Sequence, residues 1–456
     1  MKRKGFRSGM KKEREEYLEI IRRLDGDWQG RTTALDYVRQ SDCYVYGFPA
    51  PFSFVPTFYN DSELEYLSNI CETTHDILCK VITQYLSDTE YRKLFAFPEE
   101  VERLILLPCN YEEKLPIARF DFFLDEDDLS FRFCEFNADG AAAMSRTLIG
   151  CEAIERSATF QEFAQKYRLE RFELFDTWVD EFLAIYHSDR NAVDHPTVLI
   201  TDFTENVTLS DVTRYINAFE KKGIPVRYVD IRKLGYDERG LYDPTDGMVF
   251  DAVYRRAVTS DVVRFFDACH NFISAVEDEK VCLIGHFRTT VVHSKMINIA
   301  LLDQKTQAIL NDREWNFVKE HILPTFRLRK NTPGLDISAL KQNKDAWILK
   351  PEDDYDSHGV FAGVDMTEEE WEHIVTQYTD AGYVAMEFYT PPLCAIALPE
   401  REEESDDPYG IENWHSMTGT YSFNGKHCGF FSRMGKEGVI SESHHGVSIP
   451  SYHIFD

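Results

Sequence analysis

The chain has 456 residues, more than one simple core accommodates, so two or three lobes are expected. Hydrophobic residues make up 43% and aromatic residues 14%, which is ample for packed cores and excludes a mostly disordered chain. With 50 Lys and Arg against 79 Asp and Glu the net charge is −29, which excludes a broad nucleic-acid footprint. Any anionic ligand therefore needs its own local cluster of cations.

The start of the chain, MKRKGFRSGMKKEREEYLEI, is basic but lacks the apolar core of a signal peptide. The first hundred residues read as mainly helical, and between 61 and 87 Leu64, Leu67, Ile70, Cys71, Ile77, Leu78, Val81 and Ile82 keep the spacing of one buried helical stripe. "VERLILLP" then reads as a strand, as do "KLPIARFDFFL" and "LSFRFCEFNA", with "LDEDDLS" as the polar turn of a hairpin. From about 150 to 187 the pattern predicts helix, with Phe172, Phe175, Trp178, Val179 and Phe182 on one side. After the polar break "HSDRNAVDHP", strands and helices alternate. "TVLITDF", "IPVRYVDI", "MVFDAVYRRAV" and "KVCLIGHF" are strands, while "LSDVTRYINAFEKKG" and "SDVVRFFDACHNFI" are helices, which predicts a small parallel sheet. No GxGxxG follows its first strand, so a dinucleotide site of that type has no support. Beyond 293 come a helix, "SKMINIALLDQKTQAIL", and the strand-like runs "AWILK", "GYVAMEF", "SMTGTYSFNG" and "CGFFSRMG". The acidic "LPEREEESDDPYG" between them reads as a solvated loop.

No apolar run approaches the length of a membrane span. The ten cysteines are scattered with no CxxC pair, and Cys71 and Cys79 are too far apart for a zinc knuckle, so reduced thiols and a cytoplasmic protein are expected. "SESHHGV" places His444 and His445 side by side, where extended backbone points them to opposite faces, and a loop is the simpler reading than a metal site.

The chemistry concentrates in two short patterns, Arg119-x-Asp121 and Glu135-x-Asn137. Residues two apart on a strand share a face, so if the two strands pair, three oxygen ligands and one guanidinium converge. Such hard donors suit Mg²⁺, and the arginine suits charge on a phosphoryl group; the competing reading is an ordinary ion pair on a surface hairpin. Lys350 ends the strand "AWIL" and enters the loop "KPEDDYDSHGV", where a lysine can reach phosphates. Lys295 opens a helix, and "MEFYTPP" places Glu387 at a strand end. Arg255 and Arg256 follow "FDAVY", where ligands of open α/β sheets collect.

The order of these parts, R-x-D, E-x-N, "YRR", "SK", "LKP" and "EFYTPP", resembles the glutathionylspermidine synthase family of ATP-grasp ligases over roughly residues 100 to 450. The resemblance implies an α/β (α+β) ATP-grasp fold with a small parallel-sheet pre-ATP-grasp domain and a helical N-terminal region. Its parts would be 1–100 helical, 101–190 metal-binding, 191–292 substrate-binding and 293–456 ATP-binding. It implies ATP and Mg²⁺ as cofactors, and as partners a small-molecule or peptide carboxylate and an amine, such as a polyamine or amino acid, joined through an acyl phosphate. Carried over by position, Asp121, Glu135 and Asn137 would hold Mg²⁺ and Arg119 would act on the transferring phosphoryl group. Lys295, Lys350, Gly359, Glu387, Phe388, Tyr389 and Arg433 would hold ATP, with Arg255 and Arg256 for the substrate. Family members usually carry a glycine-rich loop after "KP"; this chain has Gly359 alone, with His358 at the usual basic position. That departure leaves open a second reading, a nucleotide-binding regulatory or scaffold protein that has lost turnover. Glycoside hydrolysis by paired carboxylates would explain neither Lys350 nor the arginine beside Asp121.

Overall fold

A computed structural model describes residues 9–353, 358–401 and 407–455. Residues 354–357 of the loop that follows Lys350 and 402–406 of the acidic stretch after Pro399 lie outside the described residues. The architecture is mixed α/β, with several separate sheets.

At the centre is a seven-stranded antiparallel sheet whose main path runs Val447–Ile449, Ser432–Gly435, Ile411–Phe423, Ile117–Leu124 and Phe131–Asn137. The long strand Ile411–Phe423 also pairs with Leu393–Ala397 and Lys426–Phe430. One face of the 117–137 hairpin is aromatic. Phe120, Phe122, Phe131, Phe133 and Phe136 pack with Leu67, Ile70, Leu78 and Val81 of the helix Asp61–Ser87 in one core. That helix begins with a reciprocal cap, in which Asn60 accepts from the Glu63 N–H and the Glu63 carboxylate accepts from the Asn60 N–H.

A second, four-stranded antiparallel sheet is ordered Thr325–Arg327, Tyr383–Glu387, Trp347–Pro351, Phe361–Ala362. The expected parallel sheet is present between 191 and 292, ordered Cys282–Ile284, Ala252–Arg255, Val198–Asp202, Val226–Asp230, and every neighbouring pair is parallel. A three-stranded sheet pairs the end of the chain, Ser451–Phe455, with Thr57–Tyr59 and Arg168–Arg171.

Three expectations are corrected. "VERLILLP" belongs to a helix, Glu99–Ile105, because three acids follow Pro98 in its first turn and Val101, Leu104 and Ile105 keep helical spacing. The continuous helix expected over 150–187 is broken into Met144–Ile154, Ala158–Lys166 and Phe175–Tyr186, with Ser157 capping the second piece and Phe172 beyond the strand Arg168–Arg171. The runs "SDVVRFFDACHNFI" and "SKMINIALLDQKTQAIL" each split into shorter helices. Among the described residues, no helix is long and apolar enough to cross a membrane, and all ten cysteines are free thiols.

Candidate functional site

Strict alternation along "FRFCEFN" would put Phe131, Phe133, Glu135 and Asn137 on one face, burying carboxylate and amide with the phenylalanines. The structure avoids this with a β-bulge. Asp121 pairs with Glu135 and Phe122 with Phe133, which leaves Cys134 as the extra residue. The parity flips there. Phe131 and Phe133 stay in the core, while Glu135 and Asn137 turn to the face of Arg119 and Asp121.

On that face the groups form one network. Arg119 donates from Nε and Nη2 to the two oxygens of Asp121, at 2.7 and 2.8 Å. Arg433 Nη2 donates to Asp121 Oδ2 at 2.7 Å. The Asn137 amide bridges Asp121 and Glu135 at 3.1 and 3.2 Å. Lys295 Nζ lies 3.5 Å from Glu135, and Lys350 Nζ donates to the carbonyl of bulged Cys134 at 3.4 Å. Gly419 underlies Asp121; a Cβ there would fall 2.3 Å from the Phe431 carbonyl oxygen and 2.8 Å from Asp121 Oδ1.

Four cations, Arg119, Lys295, Lys350 and Arg433, thus serve two carboxylates, Asp121 and Glu135, a surplus of two positive charges. Burial alone would raise the Glu135 carboxyl, but Lys295, Lys350, Arg433 and Arg119 together hold it well below its ordinary range. It stays ionised at neutral pH.

The network closes one end of a cleft between the two antiparallel sheets. Much of the rest of its wall is apolar, with Leu323, Ile348, Met386 and Val439 in one cluster and Val360, Phe388 and Tyr389 packed against it. Tyr389 stacks on Phe123 at 5.8 Å. Glu387 is exposed at the far end. The N–H groups of Glu387 and Phe388 donate to the Pro324 and Ala346 carbonyls, so a ligand edge there would meet other groups of the segment. Gly359 adopts φ +66° beside the Tyr383 hydroxyl, and the neighbouring His358 lines the cleft.

A second, polar cavity shares Glu135, Asn137 and Arg433 with the first and adds Arg119, Arg146, Asp202, Arg256 and His293. Arg255 and Arg256 part company here, since successive side chains leave a strand on opposite sides. Arg255 turns inward, where it pairs with Asp139 at 2.6 Å and donates to the carbonyls of Gly285 and Ala257. It lines neither cavity. Arg256 lines the second one, 3.5 Å from Asp211, and its Nε and Nη1 have no hydrogen-bond partner among the described residues. Gly140 permits this crossing, because at φ +72° its missing Cβ would fall 2.3 Å from the Arg256 carbonyl oxygen.

Sequence reasoning missed Asp139, Arg146, Asp202 and His293. Asp139 had a signal, since it continues the period of two through Glu135 and Asn137; the others come from distant segments. His293 is pushed down to about 4 by burial and by Lys295, so it is a neutral imidazole. Asp202 is pushed up to about 6, because burial outweighs Arg256. A carboxyl raised in the folded state costs stability as pH rises from about 4, its unfolded value, to 6. Asp202→Asn is therefore expected to raise the melting temperature at neutral pH and to flatten the decline across that window, as measured by calorimetry at several pH values.

No family model and no curated protein matches the chain. Among solved structures, the fold is similar to a glutathione synthetase-like effector, GSS30, from Globodera pallida in its apo form, at TM-score 0.59 and 10% identity, covering 93% of this chain and 96% of that one. D-cycloserine synthetase DcsG also matches, at TM-score 0.25 and 19% identity over 42% of this chain and 59% of that one. The first likeness establishes a shared overall fold.

Proposed function

We propose that this protein is an ATP-dependent, ADP-forming carboxylate–amine ligase built on the ATP-grasp arrangement. The observation that carries the reading is the local surplus of two positive charges at the end of an apolar slot, in a chain of net charge −29. An apolar slot ending in clustered lysines and arginines suits a flat base joined to a polyphosphate. In this reading Lys295, Lys350 and Arg433 hold phosphates and the slot around Met386 to Tyr389 holds adenine.

Asp121, Glu135 and the Asn137 carbonyl are hard oxygen donors that would suit magnesium once the Asn137 amide, whose nitrogen now faces both carboxylates, turns over; the Cys134 sulfur lies alongside, against Lys350. Bound there, the ion would offset charge between phosphate oxygens. The substrate carboxylate would sit in the polar cavity, oriented by Arg256. Its oxygen would attack the γ-phosphorus, expelling ADP, with Arg119 stabilising the charge in transit. The amine nitrogen would then attack the acyl carbon, losing a proton as phosphate departs. Neutral His293, on the wall of that cavity, would accept it.

One observation favours a second reading, nucleotide binding without turnover. Both oxygens of Asp121 are engaged by guanidinium groups, so an ion there must compete with Arg119 and Arg433. A single assay separates the two: ATP and Mg²⁺ with hydroxylamine plus pooled amino acids, small peptides and polyamines. Ligation is expected to give ADP and a product lighter by one water than its parts. Thermal stabilisation by ATP with no ADP under any mixture would leave the second reading standing, and no effect of ATP at all would remove both.

A further inference from the structure

Well away from the cleft residues, the helix Asp61–Ser87 carries His75 and Cys79 one turn apart and hence on one face. Facing them is Glu113, in the loop that leads to the strand Ile117–Leu124. The three ligand atoms converge. His75 Nε2 is 3.1 Å from Glu113 Oε1, Cys79 Sγ is 3.5 Å from His75 Nε2, and Cys79 Sγ is 3.8 Å from Glu113 Oε1.

Two uses of such a trio differ in geometry. In a nucleophilic triad the thiol and the carboxylate sit on opposite nitrogens of the imidazole, so that a proton can pass along the row. Here both come closest to Nε2, the thiol at 3.5 Å there against 3.8 Å to Nδ1, so thiol and carboxylate do not flank the ring in a row. Around a tetrahedral metal the three donors must instead crowd one point. With bonds of about 2.3 Å to sulfur and about 2.0–2.1 Å to nitrogen and oxygen, the ligand atoms would be separated by about 3.4–3.6 Å. The observed 3.1, 3.5 and 3.8 Å bracket that range.

We propose that His75, Cys79 and Glu113 bind one Zn²⁺ ion, with water as the fourth ligand. The surroundings are prepared for it. The Glu113 carboxylate is oriented by the Leu115 N–H at 2.7 Å, and the loop carbonyl of Glu113 is held by Arg288. The far ring nitrogen, Nδ1, lies 3.9 Å from the exposed Asp76 carboxylate, beyond hydrogen-bond distance. Gly425, at φ +81°, leaves that side open, since a Cβ there would stand 3.0 Å from Nδ1. His75 is mostly buried, while Cys79 and Glu113 are partly exposed, so solvent reaches the remaining coordination position. Thiolate and carboxylate together neutralise the dication. The ion would staple the helix to the loop leading into the strand that carries Arg119 and Asp121. This inference does not rest on the ligase reading.

The test is titration of the full chain with Co²⁺ as a spectroscopic stand-in, under reducing conditions and in excess Mg²⁺ so that oxygen-only sites are filled. One equivalent is expected to give tetrahedral visible bands and a thiolate-to-metal charge-transfer band, both abolished by one equivalent of Zn²⁺. Cys79→Ser should remove the charge-transfer band, and Glu113→Gln should weaken binding by about tenfold or more. Circular dichroism checks that the variants fold. Zn²⁺ should also slow maleimide modification of Cys79 in the unmodified protein by about tenfold or more, read peptide by peptide in the mass spectrometer. That arm needs no variant. A cobalt spectrum unchanged in Cys79→Ser, or modification of Cys79 indifferent to Zn²⁺, overturns the proposal.

Discussion

Glu135→Gln is expected to lower ADP formation by about 10²–10³-fold at saturating ATP, the loss typical when one electrostatic partner is removed from a preorganised site. The substitution keeps shape and removes one negative charge. In the structure that charge is shared among Lys295 at 3.5 Å, Arg433 at 3.9 Å and the Asn137 amide. Without it the local surplus rises from two positive charges to three, while the oxygen set proposed for magnesium loses a carboxylate. The two effects oppose each other in binding but agree in catalysis: ATP still stabilises the fold, and turnover falls. Lys350→Met should show the other pattern, with ATP stabilisation and turnover lost together. Unchanged turnover in Glu135→Gln would remove the assignment of this carboxylate. The pH sign follows from the same geometry. A carboxyl held well below its ordinary range adds stability that is complete above about pH 4 and is lost only as pH falls through its lowered value.

Arg255→Leu is expected to destabilise the fold by about 3–5 kcal/mol, because Asp139 would be left as an uncompensated buried charge. Both side chains are almost fully buried, at 0% and 1% exposure. Asp139 also accepts from the Thr259 N–H at 2.6 Å and the Thr290 hydroxyl at 3.3 Å, so it joins the 252–255 strand, the 259–264 helix and the segment after 286. The double variant Arg255→Leu/Asp139→Leu should recover part of the loss, since removing both partners leaves no unpaired charge. Arg256→Leu should cost less stability. It leaves Asp211 still accepting from the Ala143 and Ser145 N–H groups, and Asp202 still accepting from the Phe203 N–H. Urea unfolding of the four proteins checks this; equal losses for Arg255→Leu and Arg256→Leu would refute the division of labour.

Much of the scaffold was legible in the chain. The strand–helix alternation after residue 191 reads directly as a parallel sheet, because each buried strand is a short apolar run and each helix has its own stripe. The pairing of the 117–124 and 131–137 strands follows from their length, aromatic content and acidic turn. Arg119-x-Asp121 and Glu135-x-Asn137 mark one face because the side-chain period of a strand is two. These are local properties, set by residues within a few positions of one another. What only the tertiary structure decided lies across long separations. The bulge at Cys134 reconciles two phenylalanines and two polar groups of the same parity, and it depends on the core on one side and the cleft on the other. Which of two adjacent arginines lines the polar cavity and which is locked to Asp139 depends on a residue more than a hundred positions earlier. The same holds for His75, Cys79 and Glu113, whose spacing in the sequence matches no metal motif. Local patterning specifies which face is polar; only the packing of remote segments, where burial makes each unpaired charge costly, determines which polar groups meet.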